Sequence, residues 1–194
     1  GSVTVGGRFQ GGASGLPVFH GRIDNGGVRM SVAEYRAGGA SLAVPQLSAR
    51  FDGGKLAFAG TVLASGAIPG GTVRDLQLPV SGEQTSHGLA IGRACVPVKF
   101  GRLQLASVVL ERQSVTVCPQ PGRPMLQGGG SGGFRAAAGV TGLAMSGQLA
   151  GTPLRVASGP IGFAWPGVVT AKAVDVALGP ADRASRFRVS GLTA

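Results

Sequence analysis

The chain has 194 residues, 43% of them hydrophobic and only 13% charged, with a formal net charge of +10. Its 36 glycines and 12 prolines exclude a helical bundle, because Gly costs about 1 and Pro about 3 kcal/mol in a helix interior relative to Ala. Disorder is excluded as well, since a disordered chain is poor in apolar residues and rich in charge. Many short strands separated by turns remain, so the class is all-β.

Along the chain, Gly1-Ser2 reads as a cloning scar, and residues 3–194 read as one continuous β-sheet segment of a longer protein. Val28, Met30 and Val32 alternate with other residues, as do Leu56 and Phe58, then Leu76, Leu78 and Val80. Val96, Val98 and Phe100 follow, then Leu103 and Leu105, then Val115 and Val117. From Val168 the set Val168, Thr170, Lys172, Val174, Val176 alternates with Val169, Ala171, Ala173, Asp175. Phe187 and Val189 close the series. This is a period of two, the mark of a strand. Turn signals lie between these segments: Asp24-Asn25-Gly26-Gly27, Asp52-Gly53-Gly54, Pro69-Gly70-Gly71 and Pro121-Gly122. The stretch Gly128–Gly133 is a flexible Gly/Ser segment, either a native loop or an engineered linker.

Bulky aromatics are scarce, and many opposite-face positions are Ala, Gly, Ser or Thr, which makes the outer face weakly polar. These features favour a long, curved, meandering sheet of many short strands with one apolar face lining a groove. The alternatives are a closed β-sandwich or a β-solenoid.

Candidate chemistry is thin. The residues that could be drawn into a catalytic triad, Ser81 or Ser86 with His87 and Glu83, are near neighbours and lack a strand-to-helix nucleophile turn. His20 and His87 stand far from any cysteine or carboxylate pair at ligand spacing. We expect no enzyme, no metal and no cofactor. The 15 arginines and three lysines are spread almost evenly along the chain. With so few aromatics, that spread argues against nucleic acid. The basic excess fits either a biased composition or a rim drawn to anionic lipid headgroups. A sugar platform would have only Trp165 and Tyr35 to use.

Cys95 and Cys118 are the only cysteines and bracket one strand-rich run. A bridge between them would contribute about 3 kcal/mol by closing that loop and would imply an oxidising compartment. The other reading is a pair of buried free thiols.

The block from Cys95 to Cys118-Pro119, with Phe100-x-x-Leu103-x-Leu105 and Ser114-Val-Thr-Val-Cys118-Pro119, resembles the YdbH branch of the AsmA-like proteins, relatives of TamB. The resemblance implies a long, curved, twisted antiparallel sheet around a U-shaped groove, a periplasmic segment of a bridge that carries phospholipids between the inner and outer membranes of a Gram-negative bacterium. It implies acyl chains as partners along an apolar groove, an inner-membrane helix outside this sequence, and a small outer-membrane lipoprotein at the far end. The groove candidates are the bulkier alternating residues: Leu56, Phe58, Leu76, Leu78, Val98, Phe100, Leu103, Leu105, Val115, Val117, Phe187 and Val189. For each of them ordinary sheet packing is the competing role. The class that competes with a lipid conduit is a secreted or surface β-rich structural, adhesin-like or glycan-binding domain.

Overall fold

Two-residue reversals set the architecture. At Asn25-Gly26, Gly38-Gly39, Gly53-Gly54 and Ala150-Gly151 both turn residues have positive φ. Such turns match the right-handed twist of the strands they join and produce tight antiparallel hairpins. The computed structural model describes residues 6–129 and 133–193. Gly1-Ser2 and the middle of the Gly/Ser stretch, residues 130–132, lie outside the described residues.

Among the described residues sixteen strands form one antiparallel sheet. They are β1 (Gly6–Gly11), β2 (Phe19–Asp24), β3 (Gly27–Ala37), β4 (Ala40–Asp52), β5 (Lys55–Ile68), β6 (Gly71–Thr85), β7 (Gly88–Ile91) and β8 (Val96–Leu105). The second half holds β9 (Val108–Pro119), β10 (Leu126–Gly128), β11 (Arg135–Val140), β12 (Leu143–Leu149), β13 (Thr152–Ser158), β14 (Ile161–Trp165), β15 (Val168–Leu178) and β16 (Ser185–Thr193).

The pairing order looks branched but is a simple meander. β6 pairs β7 through Gly82–Thr85 and β8 through Gly71–Gln77, along the same edge. β7 and β8 are therefore two pieces of one pass across the sheet. In the same way β9 and β10 share a pass, as do β11 and β12, and β13 and β14. Each pass pairs only with the passes before and after it in sequence. Pro121-Gly122, expected to reverse the chain, instead sits in a break within one pass, where Arg123 N–H donates to Gln120 O at 3.1 Å.

Residues directly opposite one another share a face, so the register assigns sides. Val73 pairs Gly66 and Leu103, and Leu103 pairs Leu110. Leu110 pairs Gly147, which pairs Leu154, which pairs Leu178. The alternation slips by one residue at recurring positions: Asp75, Arg112 and Ala173 adopt positive φ, and the β3–β4, β4–β5 and β5–β6 ladders contain register shifts whose extra residues lie on β3, β4 and β6. At each slip the apolar series changes parity without changing side. The unbroken alternation expected over residues 168–176 is corrected here. Val169 and Ala171 pair Phe163 and Ile161, while Val176 pairs Val156, so one face takes odd residues before Ala173 and even residues after it. Irregularities of this kind bend a strand and increase its twist, consistent with a curved sheet.

Among the described residues no second layer of strands covers either face. Every pair of strands in substantial contact among the described residues is a hydrogen-bonded pair. The accessible surface is 12691 Å², against about 8,400 Å² for a compact monomer of this mass. The difference decides between an open sheet and a closed sandwich or solenoid. It is open. Among the described residues four apolar side chains are buried, Val73, Phe100, Leu110 and Leu154. The first three form one cluster flanked by Ile68, Leu76, Leu103, Val108 and Met145.

That cluster is where side-chain packing contributes most. Phe100→Ala is expected to destabilise the sheet by about 3 kcal/mol, the low end for a large truncation. Phe187→Ala, at a side chain 58% exposed, should cost under about 1 kcal/mol. Urea unfolding of the two variants checks the difference.

Candidate functional site

The apolar face is built from side chains that the register aligns across the whole sheet. Leu56 and Phe58 on β5 pair with Phe51 and Ala49 on β4. Leu76 and Leu78 on β6 pair with Ala64 and Val62 on β5. Val98 pairs Val115, Val96 pairs Val117, Phe100 pairs Gln113, and Leu103 and Leu105 pair Leu110 and Val108. Phe187 and Val189 on β16 pair with Val176 and Val174 on β15. All twelve residues proposed from sequence thus stand on one face. Phe100 and Leu103 share it despite opposite parity, because the alternation slips between them beside Arg112.

The face holds more than those twelve. Phe9 on β1, Phe19 and Ile23 on β2, and Val28, Met30 and Val32 on β3 extend it to one end. Met145, Val156, Ile161, Phe163 and Trp165 extend it toward the other. Phe163, Trp165, Val169, Phe187, Val189 and Leu192 are exposed there. With adjacent strands about 4.8 Å apart, the apolar face runs ~50 Å across its twelve passes. Near β1 the loop 12–18 crosses its margin. Tyr35 Oη donates to Gly15 O at 2.8 Å and Ala33 N–H to Val18 O at 2.8 Å. Under this loop Gly11, Leu16, Pro17, Phe19 and Val32 line an apolar hollow of about 530 Å³.

Glycine keeps the aromatic rings low on this face. Phe9 lies over its cross-strand partner Gly21, and Phe19 over its partner Gly11. Phe58 covers Gly82 in the same way, where a Cβ would come within 2.7 Å of the ring. A ring laid across a neighbouring glycine fills the gap in the sheet surface and does not project from it.

The opposite face carries the charge, which corrects the expectation of a weakly polar outer surface. Arg102 pairs Glu111 across β8 and β9, with Nη1 to Oε1 at 2.7 Å. Arg188 bonds its cross-strand partner Asp175. Glu83 on β6 binds Lys55 from β5 and Arg93, whose Nη2 lies 2.7 Å from Oε1. These two cations, Lys55 first, hold the Glu83 carboxyl below its ordinary value of 4.5. That carboxylate is committed to ion pairs, and His87 sits in the neighbouring turn with its backbone N–H donating to Thr85 Oγ1 at 3.2 Å. His20 lies on the polar face opposite Gln10 and Ser31. Tyr35 and Trp165 stand on β3 and β14, toward opposite ends of the sheet.

Cys95 and Cys118 form a disulfide. It joins the chain one residue before Val96 to the chain one residue after Val117, the last pair of the β8–β9 ladder. Beyond it both passes break, and the gap is spanned by Gly92 N–H to Ser81 O at 2.8 Å and Met125 N–H to Gly92 O at 2.9 Å. Together with the Arg93–Glu83 pair, the bridge pins the seam where the sheet is least regular.

The chain matches no protein-family model, and no curated protein or solved structure is detectably similar to it.

Two measurements test this seam. Because the folded-state pKa of Glu83 is depressed, its stabilisation is complete above the unfolded value and is lost as pH falls through the folded one. Glu83→Gln should therefore lower Tm at neutral pH and flatten the fall in Tm on acidification below about pH 4.5. A Cys95→Ser/Cys118→Ser variant should lose about 3 kcal/mol, read by denaturation of oxidised wild type beside the variant.

Proposed function

We propose that this chain is a segment of a lipid conduit that shields phospholipid acyl chains along its apolar face, without catalysis, as the resemblance to the YdbH branch of AsmA-like proteins implies. The observation that carries the reading is a continuous apolar face, twelve passes wide, that the described chain leaves open except where loop 12–18 crosses its margin. Exposed apolar area on this scale marks an interaction surface. A sheet with one greasy side needs only contact with methylene groups, about 0.8 kcal/mol for each one buried, so it holds chains without fixing their position. Headgroups stay at the open margin in water.

The disulfide is compatible with an oxidising compartment, and the periplasm is the address that fits both the bridge and the conduit. Bulges along the strands support the same reading, since curvature turns a flat apolar face into a trough.

Purified protein is expected to release phospholipid into organic solvent, detected by mass spectrometry. A photo-reactive amino acid at Val98 should cross-link to lipid, whereas one at Lys99, on the polar face of the same strand, should not. Absence of lipid together with equal cross-linking at both positions would overturn the proposal. Leu78→Arg, which places a charge in the trough, should reduce bound lipid several-fold while leaving the strand pairing intact.

A further inference from the structure

The arginines that are evenly spaced in sequence are not evenly spaced in the fold. Arg8 on β1 pairs directly with Arg22 on β2, and Arg22 pairs directly with Arg29 on β3. Three guanidinium groups therefore stand in a row across three neighbouring strands, with about 4.8 Å between backbones. Like charges directly opposite one another destabilise a sheet, and the compensation is partial. Asp24 bonds Arg22, with Nε to Oδ2 at 3.1 Å. No ion pair to Arg8 or Arg29 is found among the described residues. Elsewhere on this face the facing pair Arg74 and Arg102 has Glu111 bound to Arg102 at 2.7 Å. Arg50 adds a fourth cation beside the row, since it pairs Gly27 two residues from Arg29. Arg22, Asp24, Arg29, Gln46, Ser48 and Arg50 line a shallow depression of about 610 Å³.

We propose that this row on the polar face of β1–β3 is a binding site for a ligand carrying two closely spaced phosphate groups. Guanidinium is the side chain that grips phosphate with paired hydrogen bonds. Each gap between neighbouring arginines takes one phosphate, so three arginines take two. Gln46 offers a neutral donor at the margin, whereas the Ser48 hydroxyl already donates to Ala59 O at 3.2 Å. The aromatic residues of β1–β4, Phe9, Phe19, Tyr35 and Phe51, pair onto the apolar face. On the polar face the ring beside the row is His20, two residues from Arg22, and no Phe, Tyr or Trp of β1–β4 joins it there, so phosphate is the group the row recognises. The site lies on the face opposite the trough and does not depend on lipid filling it.

The probe is inorganic tripolyphosphate, followed by calorimetry and by the shift it causes in Tm. The wild-type chain should bind it, with affinity falling as salt is raised. Arg8→Gln/Arg29→Gln keeps the Arg22–Asp24 pair, and its Tm without ligand should equal or exceed that of the wild type, because facing like charges are removed. Its affinity should fall about tenfold or more. Arg36→Gln, on the same strand but bonded to Glu34 at 2.8 Å, should bind as wild type does. A second arm uses vesicles of phosphatidylcholine with and without phosphatidic acid. Capture by the acidic vesicles, competed by tripolyphosphate, assigns the site to lipid headgroups. Tripolyphosphate binding without capture assigns it to a soluble ligand. No binding by the wild type, or equal binding by the double variant, overturns the site.

Discussion

Backbone hydrogen bonds between neighbouring passes hold this sheet, and side-chain packing adds little to them away from one cluster around Phe100. A sandwich of similar size would gain its stability from two apolar faces closed on each other. Here one such face stays open, and the ladder has to be nearly continuous to compensate. The four two-residue turns with both residues at positive φ serve that end, because they start each ladder at the first residue after the reversal. Where the ladder fails, between Ile91 and Val96 and between Pro119 and Leu126, covalent and ionic links take its place: the Cys95–Cys118 bridge and the Arg93–Glu83 pair.

The bulges and the open face depend on each other. A flat sheet of this width would expose its apolar side as a plane. A slip such as that at Asp75 bends the strand and yet keeps Val73 and Leu76 on the same side. Each bend is therefore made without placing a charged residue in the trough. The two faces then differ fully in chemistry. The aromatic residues that occupy strands β1–β9 lie on one side, and the cross-strand ion pairs Arg102–Glu111 and Arg188–Asp175 lie on the other.

Much of this could be read from the residues. Alternation at Leu56 and Phe58 or at Val115 and Val117 identifies both the strand and the side it shows, because those segments are regular. Asn25-Gly26 and Gly53-Gly54 fix the hairpins for stereochemical reasons local to the turn. What could not be read depends on non-local pairing. A slip at Arg112 or Ala173 gives no local signal, since neither residue favours positive φ, so parity misplaced Val168 and Val169. The gathering of charge on the outer face depends on pairing in the same way, and so does the row formed by Arg8, Arg22 and Arg29. Residues fourteen and seven apart become neighbours only once two registers are known. Pro121-Gly122 carried a true turn signal, but the chain there steps sideways between β9 and β10 and resumes its direction.

Since each described pass pairs only with its predecessor and successor, the sheet has no closure condition to satisfy. A barrel cannot gain a hairpin without changing its radius and tilt. This meander can gain or lose one anywhere that two neighbours re-pair, at about 10 Å of span for every two strands. The same independence lets a bulge or a ring-over-glycine pair appear in one hairpin without a matching change in a distant one. Span thus becomes a quantity that duplication and deletion can adjust in small steps, while the greasy side stays unbroken from one edge to the other.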